Sequence, residues 1–267
     1  MNERYNLKDF KESAIIPSVF GLGYENNTSY IRVGNSYRLD KKEIKQGEFI
    51  GTAIFKSYEN YQNFISFVEK SEKLRVIYKP LDIEYFRDVD LNGITATINK
   101  GSTTESEISL SCKGLYYTED SKRFIIEELE GETRYPILFD ATFNDYSSVA
   151  VDYDNKGHAE GEILAEIYGY TEQPTIELFV GDKLKYKVIF DITIQAGEKL
   201  LYSAKDGDNF VALEDANGVQ TNVPECMKLD NDNFFKLPKG MSTIKTTSTT
   251  GTMNTIIFRI FTAYKGV

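Results

Sequence analysis

Tryptophan is absent from this 267-residue chain, histidine occurs once and cysteine twice. Those shortages exclude a good deal of chemistry. One histidine and two distant cysteines cannot supply three or four zinc ligands in recognisable spacing. His158 would have to be the base of any Ser-His-Asp or Cys-His site. No Gly-x-Ser-x-Gly elbow accompanies it. Long apolar runs are also missing. No stretch approaches the roughly 18 apolar residues of a membrane span. Met1 to Phe20 carries charges and no apolar core, so no signal peptide and cytoplasmic synthesis are expected. A disulfide between Cys112 and Cys226 is then not expected either. Walker-type phosphate loops are absent, and Gly21-Leu-Gly23 is too short for a dinucleotide fingerprint.

Charge excludes a further class. The chain has 41 acidic and 31 basic residues, a net charge of −10. Such a chain repels phosphate backbones, so DNA is expected to slide past it without specific binding. The acids themselves form no convincing site. Asp152, Asp154 and Gly157 fall at positions 1, 3 and 6 of a calcium-loop spacing. Lys156 and Ile163 occupy positions where such a loop needs oxygen ligands. Asp206 with Asp208, and Asp230 with Asp232, read as solvated turn residues. A glycosidase needs two carboxylates across a cleft, and an acid-rich sequence cannot single out a pair. No catalytic, metal or cofactor residue is therefore assigned.

What is abundant is aromatic and strand-forming. Eighteen tyrosines and seventeen phenylalanines suit pleated, half-buried surfaces. Period-two alternation recurs at Leu74, Val76 and Tyr78, at Ile94, Ala96 and Ile98, and at Ile108, Leu110 and Cys112. It returns at Ile163, Ala165 and Ile167, at Ile176, Leu178 and Val180, and at Ile256, Phe258, Ile260 and Thr262. The longest run is Leu184, Tyr186, Val188, Phe190, Ile192 and Ile194. Such patterns predict antiparallel sheets with one wet face. Turn signals including Gly34-Asn35, Asn92-Gly93 and Asn217-Gly218 separate the runs. One helix is predicted over about 57–71, with Ser57 as N-cap and Tyr61, Phe64, Ile65 and Val68 as its buried stripe. An acidic cluster with Gly131 and Pro136 marks a domain boundary near Glu127 to Pro136. Two domains follow, 1–130 with the helix and 131–267 without one.

The first domain resembles the distal tail proteins of siphophages. Pro17-Ser-Val-Phe-Gly-Leu-Gly-Tyr24, Tyr30-Ile-Arg-Val-Gly-Asn-Ser36 and Gly47-Glu-Phe-Ile-Gly-Thr-Ala-Ile-Phe-Lys-Ser-Tyr58 carry the likeness. Leu74-Arg-Val-Ile-Tyr-Lys-Pro80, Tyr85-Phe-Arg-Asp-Val-Asp-Leu91 and Cys112-Lys-Gly-Leu-Tyr-Tyr117 continue it in order. The second domain is similar to the galectin-like sandwich of that family at Asn155-Lys-Gly157, Ile167-Tyr-Gly169, Pro174-Thr-Ile-Glu-Leu178, Gly197-Glu-Lys-Leu200 and Phe235-Lys-Leu-Pro-Lys-Gly240. The resemblance implies a mainly β fold of two β-sandwich domains, the first tail-tube-like with one α-helix, the second galectin-like.

It also implies a hexameric ring at the virion tail tip, assembled in the host cytoplasm. The ring would join the tail tube protein to a fibre or lysin hub and to receptor-binding proteins, with DNA leaving through its lumen and no membrane involved. A head-to-tail contact that closes gives such a ring, and a hairpin arm can add strands to a neighbour's edge. The candidate arm is the charged stretch from Arg38 to Glu48, with Lys41, Lys42, Glu43 and Lys45. Sugar binding is the competing role for the second domain. Sugar-binding galectins stack on tryptophan and use histidine, so only Tyr168 and Tyr170 remain as stacking candidates. A carbohydrate-binding adhesion module, the hub of a phage-derived bacteriocin and a cell-wall hydrolase are the alternatives carried forward.

Overall fold

The computed structural model describes residues 4–10, 13–17, 23–80, 82–95, 98–125, 148–228, 233–251 and 255–267. The chain divides into two compact units, residues 1–118 with 263–267, and residues 119–262. The boundary residues expected near Glu127 to Pro136 lie outside the described residues.

The first unit contains β1 (Arg4–Leu7), β2 (Ser13–Pro17), β3 (Asn26–Val33), β4 (Ser36–Ile44), β5 (Glu48–Phe55), α1 (Tyr58–Lys70), β6 (Leu74–Lys79), β7 (Tyr85–Ile94), β8 (Ile98–Lys100), β9 (Thr103–Cys112) and the start of β10 (Tyr116–Ile125). Six of these strands close on themselves. Antiparallel pairing runs from β7 to β6, β1, β2, β5 and β9, and β9 returns to β7. Val89 faces Leu74 on one side and Cys112 on the other, which closes the ring. Closure removes the free edges that an open sheet would expose. Inward residues alternate as the sequence predicts: Phe49, Ala53 and Phe55 on β5, Val76 and Tyr78 on β6, Ile108, Leu110 and Cys112 on β9. The helix forms where predicted. The Oγ of Ser57 accepts from the amide of Asn60 at its N-terminus. Phe64 is fully buried and packs on Phe10 and Phe55 at ring distances of 5.4 and 5.2 Å.

The second unit holds the rest of β10, β11 (Ser148–Asn155), β12 (Glu162–Tyr168), β13 (Thr171–Glu172), β14 (Thr175–Val180), β15 (Lys183–Ile189), β16 (Thr193–Ile194), β17 (Lys199–Lys205), β18 (Asp208–Glu214), β19 (Gln220–Asn222), β20 (Gly240–Thr247), β21 (Thr250–Gly251) and β22 (Thr255–Tyr264), the last running past its boundary. One sheet orders β19-β18-β17-β12-β22 and the other β11-β20-β14-β15, with β16-β13-β21 as a small third. Ile163, Ile167, Leu200, Tyr202, Phe258 and Ile260 from the first join Ile176, Leu178, Val188 and Ile244 from the second in one buried core. This is a two-layer sandwich. The mainly β class with a single α-helix among the described residues agrees with the sequence expectation.

The longest alternating run did not become one strand. It splits into β15 and β16 because Phe190 leaves β15 to bridge Met227, while the Asp191 amide donates to the Cys226 carbonyl at 2.7 Å. Both cysteines are free and buried.

Candidate functional site

A core dictates burial, and one element of the first unit obeys none. Every residue of β3 and β4 is exposed. The two strands pair only with each other among the described residues, from Asn26↔Ile44 to Val33↔Ser36. The turn between them is Gly34-Asn35, and Gly34 takes φ +61, as a two-residue hairpin with glycine first requires. At about 3.3 Å per residue this ribbon is roughly 28 Å long. A lone two-stranded hairpin is marginal in water, so its lasting order depends on what else it pairs with.

Opposed residues share a face. Tyr30 with Leu39, and Arg32 with Tyr37, make one face near the tip; Ile31 with Arg38, and Val33 with Ser36, make the other. Tyr30, Ile31, Val33, Tyr37 and Leu39 are all large and exposed, Tyr37 by 70%. A bulge between Ser29 and Tyr30 lets the Oγ of Ser29 donate to the Asp40 carboxylate at 3.1 Å. The predicted arm residues lie on β4 and at its root. Arg38 is near the tip, while Lys41 and Glu43 form an exposed pair at 2.7 Å. Lys45 bonds Glu25 twice, its Nζ to Oε2 at 2.9 Å and its amide to the carbonyl at 2.8 Å, clasping the hairpin root. Arg38 and Lys42 make no ion pair among the described residues. The apolar tip was missed from the sequence. Its signal was a Tyr/Ile/Val/Leu-rich strand pair flanking Gly34-Asn35 with no polar alternation to bury.

The remaining sequence candidates are scattered. Tyr168 ends β12, its hydroxyl bonded to Glu166 and one ring face covered by the Lys199 ammonium at 5.5 Å. Burial, then the bond to Glu166, raises its pKa. Tyr170 is 40% exposed and its hydroxyl donates to Glu172. His158 lies exposed between β11 and β12. That turn is held by Asn155, whose Nδ2 donates to the carbonyls of Ala159 and Leu237 and whose Oδ1 accepts from the Gly157 amide. Asp152 and Asp154 belong to β11, and Asp152 accepts from Thr243 at 2.6 Å. Asp206 pairs with Lys236 at 2.7 Å. Asp230 and Asp232 lie outside the described residues. Among the described residues no group of three or more His, Cys, Asp or Glu is placed to hold a metal ion. No helix there is long and apolar enough to cross a membrane.

A closed antiparallel ring bearing an exposed hairpin, joined in the chain to a β-sandwich, is a mainly β architecture of two units. Residues 1–113 match the family described as distal tail protein, N-terminal domain. No curated protein matches the chain. Among solved structures, a protein of the phage P2 baseplate in its activated conformation with Ca superposes with a TM-score of 0.68 at 13% identity, covering 100% of both chains. The Dit (gp 19.1) protein of phage SPP1, described as a hub of the adsorption apparatus in phages infecting Gram-positive bacteria, gives 0.57 at 10% identity, over 96% of this chain and 93% of that one. The whole chain therefore has the fold of a phage distal tail or baseplate hub protein.

Proposed function

We propose that this protein is a structural hub subunit of a phage tail tip. It assembles with copies of itself into a ring, hexameric by analogy with the family it matches, that joins the tail tube to baseplate or fibre proteins and surrounds the DNA exit channel. The observation that carries the proposal is the β3–β4 hairpin, on a domain that matches the distal tail protein family. It offers unpaired backbone edges and exposed apolar side chains to a neighbour, and strand addition satisfies both. Charge supports a neighbour that is another copy. The hairpin carries Arg32, Arg38, Lys41 and Lys42 against Asp40 and Glu43, while the chain as a whole is at −10. A basic arm on an acidic chain is complementary to its own copies. A net-acidic chain would also let DNA pass without retaining it. The role is one of assembly and not of catalysis.

Negative-stain electron microscopy of the full chain tests this, with class averages examined for rotational symmetry. Closed rings that vanish when residues 27–43 are replaced by a short Gly-Ser link are expected. Rings that persist unchanged without the hairpin would sink the arm assignment.

A further inference from the structure

Beside the root of β4 lies a cavity of about 320 Å³ within the first unit, lined by Ile44, Lys45, Gly47, Arg87, Cys112 and Leu115 among others. Arg87 is the unusual member. It shares inward parity with Val89 on β7 and is only 5% exposed. Its Nε donates to the Gly114 carbonyl at 2.9 Å, and its guanidinium lies 4.8 Å over the Tyr116 ring. It makes no ion pair among the described residues. Burying a guanidinium without an anion is costly.

The nearby anions are committed elsewhere. Asp88 pairs with Arg75 at 2.9 Å and Asp90 with Lys113 at 2.8 Å. Glu48 accepts from Ser109 at 2.6 Å. Neither the thiol nor the phenol beside the arginine supplies a charge. Burial, opposed by Arg87, raises the Cys112 pKa, and burial pushes Tyr116 up to about 12. Gly47 lets the backbone pack closely against the guanidinium, since a Cβ there would stand 2.6 Å from Nη2 and 3.4 Å from Nη1. Lys45 and Lys113 line the same cavity, but each is paired with an acid, which leaves Arg87 as the lining cation without an ion pair among the described residues.

We propose that this cavity is a carboxylate-binding site, in which Arg87 receives an acidic side chain from an adjoining protein chain. A guanidinium presents two parallel donors that match a carboxylate, and the volume admits a side chain and not merely an ion. That the donor is another chain rests on the arm reading, because Ile44 and Lys45 belong to the hairpin's end and root. The chemistry of the cavity does not rest on it.

The test is a titration of the full chain with N-acetyl-glutamate at constant ionic strength, followed by the Nε–H resonance of Arg87. A saturable shift is expected, absent with N-acetyl-glutamine and at least tenfold weaker in Arg87→Lys. No shift in the native chain, or an equal one with the neutral amide, overturns the site whatever the variant does. Saturable binding that survives in a Tyr37→Asp chain upholds the site even where the arm reading fails. Given binding, self-association weakened at least tenfold by Arg87→Lys assigns the carboxylate to a second copy. Unchanged self-association assigns it to a different tail protein.

Discussion

Arg259 donates through Nη2 to Oε1 of Glu166 at 2.6 Å, across the β12–β22 ladder. Glu166 is only 5% exposed, and its second oxygen accepts from the Tyr168 hydroxyl. Removing the arginine leaves a buried carboxylate with one neutral partner. Losing one member of a fully buried pair costs about 3–5 kcal/mol. The Arg259 side chain is 45% exposed, so solvent screening reduces the expected loss to about 1–3 kcal/mol for Arg259→Met. Glu166→Gln in the same background should recover part of it. Urea unfolding midpoints check this, and a change below about 0.5 kcal/mol in Arg259→Met would remove the pair's structural importance.

Phe64 anchors the helix on the ring of strands. It has no exposed surface and touches both Phe10 and Phe55. Phe64→Ala removes an aromatic ring from a packed site and is expected to cost about 3–5 kcal/mol. The loss should appear in the unfolding of the first unit. Phe64→Leu should cost less than half as much, because it keeps most of the buried volume.

The hairpin tip should behave in the opposite way. Tyr37 and Leu39 contact no core, so Tyr37→Asp with Leu39→Asp is expected to leave the monomer's stability within about 0.5 kcal/mol. The same pair should abolish ring formation, read by native mass spectrometry. A chain that loses stability and assembly together would instead make the hairpin part of the monomer's fold.

Much of the fold was legible because burial imposes a rhythm. Ile108, Leu110 and Cys112 read as inward from parity alone, and Ser57 with the Phe64 stripe marked the helix to within a residue. The rhythm failed where tertiary contacts intervene. From Leu184 to Ile194 it holds without a break, yet the Phe190–Met227 bridge ends the strand. On the hairpin there is no core to impose it, so charges at Lys41, Lys42 and Lys45 drew notice and the tip at Tyr30 and Tyr37 did not. Arg87 was legible in principle, since it shares inward parity with Val89. A charged residue at such a position signals a site, but only the structure reveals that its neighbours do not neutralise it.

The two thiols make a pH prediction. Burial, reinforced by Glu225 and Asp191, raises Cys226 to about 11, and burial raises Cys112 as well, from an ordinary 9.0. The folded state therefore favours the protonated thiol. Its contribution is complete below pH 9, where the unfolded thiols are also protonated, and is lost as pH climbs from 9 to about 11. Tyr116, moved from 10.0 to about 12, adds a second loss that begins near pH 10. Melting temperature should fall over this window, less steeply in Cys226→Ala. At pH 8 Ellman's reagent should find no fast thiol in the native chain and both in denaturant. A rapidly labelled native thiol would contradict the burial.

Salt separates the two forces proposed for assembly. The basic hairpin acts on an acidic chain at long range, and such attraction is screened over about 10 Å at 0.1 M and 3 Å at 1 M salt. The tip contacts of Tyr30, Tyr37 and Leu39 are apolar and survive added salt. Self-association measured by sedimentation velocity should therefore weaken several-fold between about 50 and 500 mM NaCl and then level off above zero. Lys41→Glu with Lys42→Glu should weaken assembly at low salt and reverse the trend, because salt now screens a repulsion. Assembly indifferent to both salt and these substitutions would take the charge of the hairpin out of the mechanism. It would leave strand pairing and the apolar tip to hold the ring.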